Sequence, residues 1–163
     1  MDLKTADLSD EFDGHVQVAE SVFRDYGGVK AFSGEIVTLR VFEDNSLVAL
    51  EVETDGHGRV LVVDGGGSVR RSLVGDRLAQ LACDNGWAGL VVNGAIRDSA
   101  DIAGMPIGVK ALNTIPRKTD KQGVGDREVT VHFAGVTFEP GHYVYADEDG
   151  ILVSPYDLFA QNR

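Results

Sequence analysis

The chain has 163 residues, 43% hydrophobic and 25% charged, a composition expected of one globular domain spanning 1–163 with a core that needs no staples. Its net charge of -11 at pH 7 argues against direct nucleic-acid binding, since Arg70-Arg71 is the densest basic spot and no Lys/Arg cluster with interleaved aromatics offsets the repulsion of phosphate. The lone Cys83 cannot form an internal disulfide, the N-terminus has no basic start or apolar leader, and no run reaches the ~20 apolar residues of a membrane span, so a cytoplasmic protein is expected.

Taken in chain order, Thr5 is positioned to cap a short helix ending at Phe12, and a second helix is expected over His15–Tyr26, stopped by Gly27-Gly28. Glu35–Phe42 alternates and is β-branched, as a strand would be. Asn45 or Ser46 opens a helix running to Glu53. Arg59–Val63 is a continuous apolar run, as in a strand buried on both faces, and the glycine loop Asp64–Ser68 follows it. Asp76 opens a helix to Asn85 with Leu78, Leu81 and Ala82 on one stripe, and Ala88–Val92 is a second buried strand. These pieces make a parallel, right-handed β-α-β unit.

Beyond it, Asn93–Arg97 reads as a loop, Asp98–Ala103 as a helical turn and Ile107–Ile115 as a strand. The segments Val129–Phe133, Val136–Phe138, His142–Ala146 and Ile151–Val153 then read as short strands, with turns at Ala134-Gly135, Pro140-Gly141 and Asp149-Gly150. The expected fold class is α/β, a layered β/β/α sandwich with a parallel β-α-β unit and a C-terminal β meander.

Ligands of open α/β sheets bind beyond the carboxyl ends of parallel strands. That rule gathers Asp76, Arg97, Asp98 and Asp101 at one end of the sheet. Carboxylates with no His or Cys beside them select hard cations, so Mg²⁺ or Mn²⁺ is the expected metal. Arg97 offers a planar fork for a carboxylate, and the N–H groups of Arg77 and Leu78 at a helix start suit an anion. Together they describe a site for a small oxo-acid. Plainer roles stand beside these: Asp76 and Asp98 as helix caps, and Arg97–Asp101 as a surface ion pair. The run Val63–Ser68 faintly resembles the glycine loop of nucleotide or methyl-donor binders, but its spacing misses G-x-G-x-x-G and no G-K-[ST] follows. Lys110 is read as a snorkelling lysine before a Schiff-base one, and Cys83 as packing.

Six stretches carry a resemblance to a known family. They are Thr5–Glu11, Phe42-Glu43-Asp44-Asn45, Gly58–Ser68, Gly94-Ala95-Ile96-Arg97-Asp98, Gly135-Val136-Thr137-Phe138 and Tyr145–Ile151. In this order they resemble the RraA family, regulators of ribonuclease activity A together with class II oxo-acid aldolases. The resemblance implies a swivelling β/β/α fold, a homotrimer and a pocket at the subunit interface. Aldolases of the family cleave 4-hydroxy-4-methyl-2-oxoglutarate and often decarboxylate oxaloacetate. Their motif is an acid, about twenty residues, Arg-Asp, and an acid three further on; Asp76, Arg97-Asp98 and Asp101 match it.

By that match Asp98 is the direct metal ligand, and Asp76 and Asp101 act through water. Arg97 binds substrate, and Gly75, Arg77 and Leu78 hold the carboxylate of the oxo-acid. Longer aldolases add an acid near the C-terminus that reaches a neighbouring subunit; here Asp157 is the only late acid. The regulator branch implies a different partner, an RNase E-type endoribonuclease or its helicase, and the acidic surface suits a basic protein segment.

Overall fold

A strand buried on both faces must be apolar at every position, and Val60–Val63 is. In the computed structural model, which describes residues 2–160, these four side chains are fully buried. Val60 and Val62 face one layer while Leu61 and Val63 face the other. They form β4, whose place follows from the chain order: α1 (Thr5–Glu11), β1 (Gln17–Val18), β2 (Arg24–Asp25), β3 (Phe32–Arg40), α2 (Ser46–Val52), β4 (Val60–Asp64), β5 (Ser72–Val74), α3 (Asp76–Asp84), β6 (Gly89–Ile96), α4 (Ser99–Ile102), β7 (Gly108–Thr114), β8 (Asp126–Arg127), β9 (Val131–Phe133), β10 (Val136–Phe138), β11 (Tyr143–Asp147) and β12 (Gly150–Ser154).

The main path of the sheet runs β1-β12-β11-β3-β4-β6-β7-β2. Its centre, β3-β4-β6-β7, is parallel, and β5 lies parallel to the far end of β6. Strand β3 changes partners along its length: residues 32–35 run antiparallel to β11, and residues 36–40 run parallel to β4, with the short β8 antiparallel to its end at Leu39 and Arg40. The chain therefore turns there from one layer into the next. Helices α2, α3 and α4 cover one face of the parallel sheet, and the C-terminal hairpins β9–β10 and β11–β12 cover the other. This is the α/β class with β/β/α layering. No helix among the described residues is long and apolar enough to cross a membrane.

The Phe32 ring at the start of β3 lies flat over β6 and β7. Gly89 and Gly108, paired in register, leave the room it needs; a Cβ on either would fall within 2.5 Å of the ring.

Several expectations are corrected. His15–Tyr26 is not a helix but an irregular strap containing β1 and β2. It starts on one edge of the sheet, against β12, and ends on the other, against β7. Its apolar residues serve three different clusters, Val16 in one, Ala19 and Phe23 in a second, Tyr26 in a third. No single helical face would do this. Asn93–Arg97 is not a loop, because β6 continues through a bulge to Ile96, where β5 pairs with it. Thr5 does not cap α1; it is the first helical residue, and its N–H and hydroxyl both donate to the Asp147 carboxylate. Burial works to raise the pKa of Asp147, but the bonds from Thr5, Asp149 and Gly150 outweigh it and hold the carboxyl below its ordinary value.

Lys110 does not snorkel and is not free for a Schiff base. It is 3% exposed, and its Nζ lies 2.8 Å from Asp25 Oδ1 and 2.6 Å from the Asp147 carbonyl. This contact fastens the strap to the sheet. Removing one partner of a buried ion pair leaves the other charge uncompensated. Asp25→Ala is therefore expected to cost about 2–3 kcal/mol in denaturant unfolding, while Asp25→Ala combined with Lys110→Met recovers most of it. Equal losses in the single and double variants would show that the pair does not hold the strap.

Candidate functional site

Parallel strands end with their side chains and following loops on one rim of the sheet. Here β5, β6 and β7 end side by side. Val74 of β5 leads through Gly75 into α3; Ile96 of β6 leads through Arg97 and Asp98 into α4; Thr114 of β7 leads into Ile115 and Pro116. The ladder extends past the strands, since the Arg97 N–H donates to Val74 O (2.9 Å) and the Ile115 N–H to Ile96 O (3.0 Å). Four of the matched residues thus meet on this rim: Gly75, Asp76, Arg97 and Asp98.

Asp98 has left-handed backbone angles, φ 58° and ψ 39°. For a residue with a side chain this conformation costs roughly 1 kcal/mol, and Asp tolerates it better than most. Its carboxylate does not cap its own helix α4. Instead Oδ2 accepts the N–H of Asp76, 2.9 Å away, at the start of α3. A carboxylate there satisfies an open helix donor and meets the positive end of the helix dipole.

Gly75, not Asp76, occupies the cap position of α3, and it makes this approach possible. A Cβ on Gly75 would lie 2.9 Å from Asp98 Oδ2 and 3.3 Å from Arg97 Nε. Asp76 is the first residue of α3, and its Oδ1 accepts the N–H of Arg77 at 2.8 Å. Leu78 buries its side chain in the helix-side core, so only its main chain faces the rim. The Arg97 guanidinium is held by Nη1 donating to Pro116 O at 3.3 Å, not by an ion pair with Asp101. Asp101 is exposed on α4, and among the described residues no three His, Cys, Asp or Glu side chains converge on one point.

Two cavities flank the Asp76–Asp98 contact. One of about 310 Å³ is lined by Arg97, Asp98, Thr114, Ile115 and Pro116. The other, of about 420 Å³, is lined by Asp76, Arg77, Gln80, Leu81, Asp84 and Met105. The donor set suits a hard divalent ion: two carboxylates, Asp98 and Asp76, with the remaining positions left to water and substrate, as Mg²⁺ prefers. Asp157 is committed elsewhere. Its Oδ1 accepts the Phe159 N–H at 3.0 Å and meets the Tyr145 hydroxyl at 3.3 Å, and it lines neither cavity.

The wall Thr114–Pro116 was not singled out from sequence. It ends a third parallel strand on the same rim, and the strand-end rule applied to all three strands would have found it. The loop after it is firmly tied. The Ser72 N–H donates to Arg117 O, Arg71 Nη1 to Lys118 O, and the Thr119 hydroxyl to Asn45 Oδ1. The Asp44 carboxylate accepts the N–H groups of Gln122 and Val124. Desolvation works to raise the pKa of Asp44, but bonds from the Ser46 hydroxyl and from the N–H groups of Ser46, Val124 and Gln122 outweigh it and hold it at about 2.

Residues 5–153 match the family model described as RraA-like, Aldolase/RraA. A protein of Dechloromonas aromatica named "Putative 4-hydroxy-4-methyl-2-oxoglutarate aldolase" is 61% identical over 158 residues, covering 94% of this chain and 97% of that protein. A crystal structure from Geobacillus kaustophilus, described as an S-adenosylmethionine: 2-dimethylmenaquinone methyltransferase, matches with TM-score 0.96 and 55% identity over 99% of this chain and 100% of that one. The RNA-processing inhibitor RraA of Thermus thermophilis matches with TM-score 0.92 and 46% identity over 95% of this chain and 94% of that one. A methyl-donor site of the doubly wound kind needs a glycine loop running into a helix N-terminus. In this chain Asp64–Ser68 runs into β5 instead. On the family model and on identity along nearly the whole length, the chain belongs to the RraA-like family, Aldolase/RraA.

Proposed function

We propose that the chain is a divalent-metal-dependent C–C lyase for pyruvate-type oxo-acids, with 4-hydroxy-4-methyl-2-oxoglutarate and oxaloacetate as substrates. The observation that carries this reading is the contact of the Asp98 carboxylate with the N–H of Asp76, which brings Arg97, two carboxylates and the start of α3 onto one rim. The 61% identical relative, named for that aldolase activity, supports the choice of reaction.

Asp98 would hold Mg²⁺ or Mn²⁺, with Asp76 and Asp101 acting through water. The bound ion would supply a Lewis acid for the keto oxygen of the substrate. The N–H groups of Arg77 and Leu78 would receive the substrate carboxylate, and for this Asp76 must release the N–H of Arg77. Its freed carboxylate then orients a water. In the aldol substrate the C4 hydroxyl proton passes through that water to the Asp76 carboxylate, and a proton returns to C3 of the enolate once the C–C bond has broken. The C3–C4 bond breaks, and its electron pair moves through C3=C2 onto the C2 oxygen. Arg97 stabilises the charge that develops there. Oxaloacetate loses CO₂ from C3 by the same electron flow and needs no base. Decarboxylation should therefore tolerate loss of the Asp76 carboxylate better than aldol cleavage does. A cytoplasmic homotrimer with this rim at the subunit interface is part of the same reading.

A second reading has its own support. The likeness to an RNA-processing inhibitor and the net charge of -11 suit a regulator that docks on a basic segment of an RNase E-type endoribonuclease or its helicase.

Pyruvate release from both substrates, with Mg²⁺ or with EDTA, tests the first reading. Turnover should need the metal and fall by about 100-fold or more in Asp98→Ala. Turnover indifferent to both changes would overturn it. Ribonuclease inhibition that survives Asp98→Ala would then favour the regulator. Gly75→Ala gives a finer test, because its methyl group presses on side-chain ends and not on backbone. The fold should survive, with about 1 kcal/mol lost from the α3 cap, while kcat/KM falls by about tenfold. Unchanged kinetics in Gly75→Ala would mean that the Asp98 position is not critical.

A further inference from the structure

A substrate cleaved at a C–C bond has two halves, and the proposed metal-binding pair stands between two cavities. Asp98 lines the first cavity and Asp76 the second, and the two residues are joined by the 2.9 Å bond. The first cavity has an apolar wall, Ile115 and Pro116, and its arginine is already held by Pro116 O. The second differs. Arg77 is exposed, lines that cavity, and its guanidinium makes no hydrogen bond or ion pair with any described residue. The neighbouring polar group is spoken for, since Gln80 Nε2 donates to Asp84 Oδ1 at 2.9 Å.

Helix stability does not account for this arginine. A cation in the first turn faces the positive end of the helix dipole, where acids are favoured. The Asp98 and Asp76 carboxylates at this helix end bond to main-chain N–H groups and make no contact with the guanidinium, and a carboxylate from a ligand would give it a partner. From these observations we infer that the Arg77 side chain is the specificity determinant of the site. It takes the distal carboxylate of a dicarboxylic oxo-acid in the second cavity, and a planar fork makes a two-bond contact with a carboxylate. The inference rests on the lyase reading for the identity of the reacting end. Asp84 closes the far side of the same cavity with a negative charge, seven residues or about 10 Å further along the helix. A third carboxylate would meet repulsion there, so tricarboxylic oxo-acids are disfavoured.

The test uses unreactive ligands, so it does not depend on turnover. Calorimetric binding of 2-oxoglutarate and of 2-oxopentanoate, in the presence of Mg²⁺, is measured on the parent, Arg77→Gln and Arg77→Lys. The two ligands have the same chain length and differ by the second carboxylate. The parent should favour the diacid by about tenfold or more, Arg77→Gln should bring the ratio close to one, and Arg77→Lys should keep part of it. A parent ratio near one, or a ratio that persists in Arg77→Gln, overturns the inference. The two claims separate cleanly. Diacid preference lost in Arg77→Gln, in a protein that releases no pyruvate, would uphold this inference and sink the lyase reading. Pyruvate release with no diacid preference would do the reverse.

Discussion

One carboxylate locks together the ends of two parallel strands, β5 and β6, that the sheet already brings side by side. The first N–H groups of α3 have no helical acceptor, as in any helix, and they open onto the end of β6. Asp98 crosses that gap from a left-handed backbone position and accepts the N–H of Asp76. Much of the rim follows from this bond. It uses the space that a glycine leaves at position 75, and it stands between the two cavities beyond the sheet. An unusual backbone conformation held by a charged hydrogen bond is a common mark of a site shaped for a ligand.

Four of the stretches that carry the family likeness meet in pairs, Phe42–Asn45 with Gly58–Ser68 and Thr5–Glu11 with Tyr145–Ile151. Glu43 accepts the Ser68 hydroxyl and Arg70 Nε, both at 2.6 Å, so the turn after β3 grips the glycine loop. Asp147 holds the start of α1 through Thr5, and its carbonyl receives Lys110, which in turn holds Asp25. Asp44 and Asn45 tie down the loop that carries Pro116. Each of these side chains reaches a partner far away in sequence. They support the rim from behind without lining the cavity beside Arg97.

How much of this was legible in the sequence depended on whether the signal was local. The strands β4 and β6 and the helix α3 could be read directly, because burial on two faces and a single apolar stripe each leave a periodic trace. The strap 15–26 could not, because its apolar residues answer to three clusters and obey no period. The tail of β6 was hidden for a related reason. Asn93 and Gly94 look like turn residues, and it is the pairing of Ala95 and Ile96 with β5 on one side and β7 on the other that keeps that stretch in the sheet. At the site, residue types and spacing brought out Asp76, Arg97 and Asp98, but not the way they are joined. That Asp98 caps the other helix, that Gly75 is a space left for it, and that Asp101 stands apart are facts of three-dimensional approach. That the Arg77 guanidinium has no partner among the described residues is of the same kind, since no sequence pattern states that a side chain lacks a partner.

The most direct measurement is a crystal structure with Mn²⁺ and oxalate, the metal located by its anomalous signal. The account predicts Mn²⁺ on the Asp98 carboxylate, one oxalate carboxylate on the N–H groups of Arg77 and Leu78, and Asp76 moved off the N–H of Arg77. Mn²⁺ bound elsewhere, with Asp76 still closed on Arg77, would contradict it.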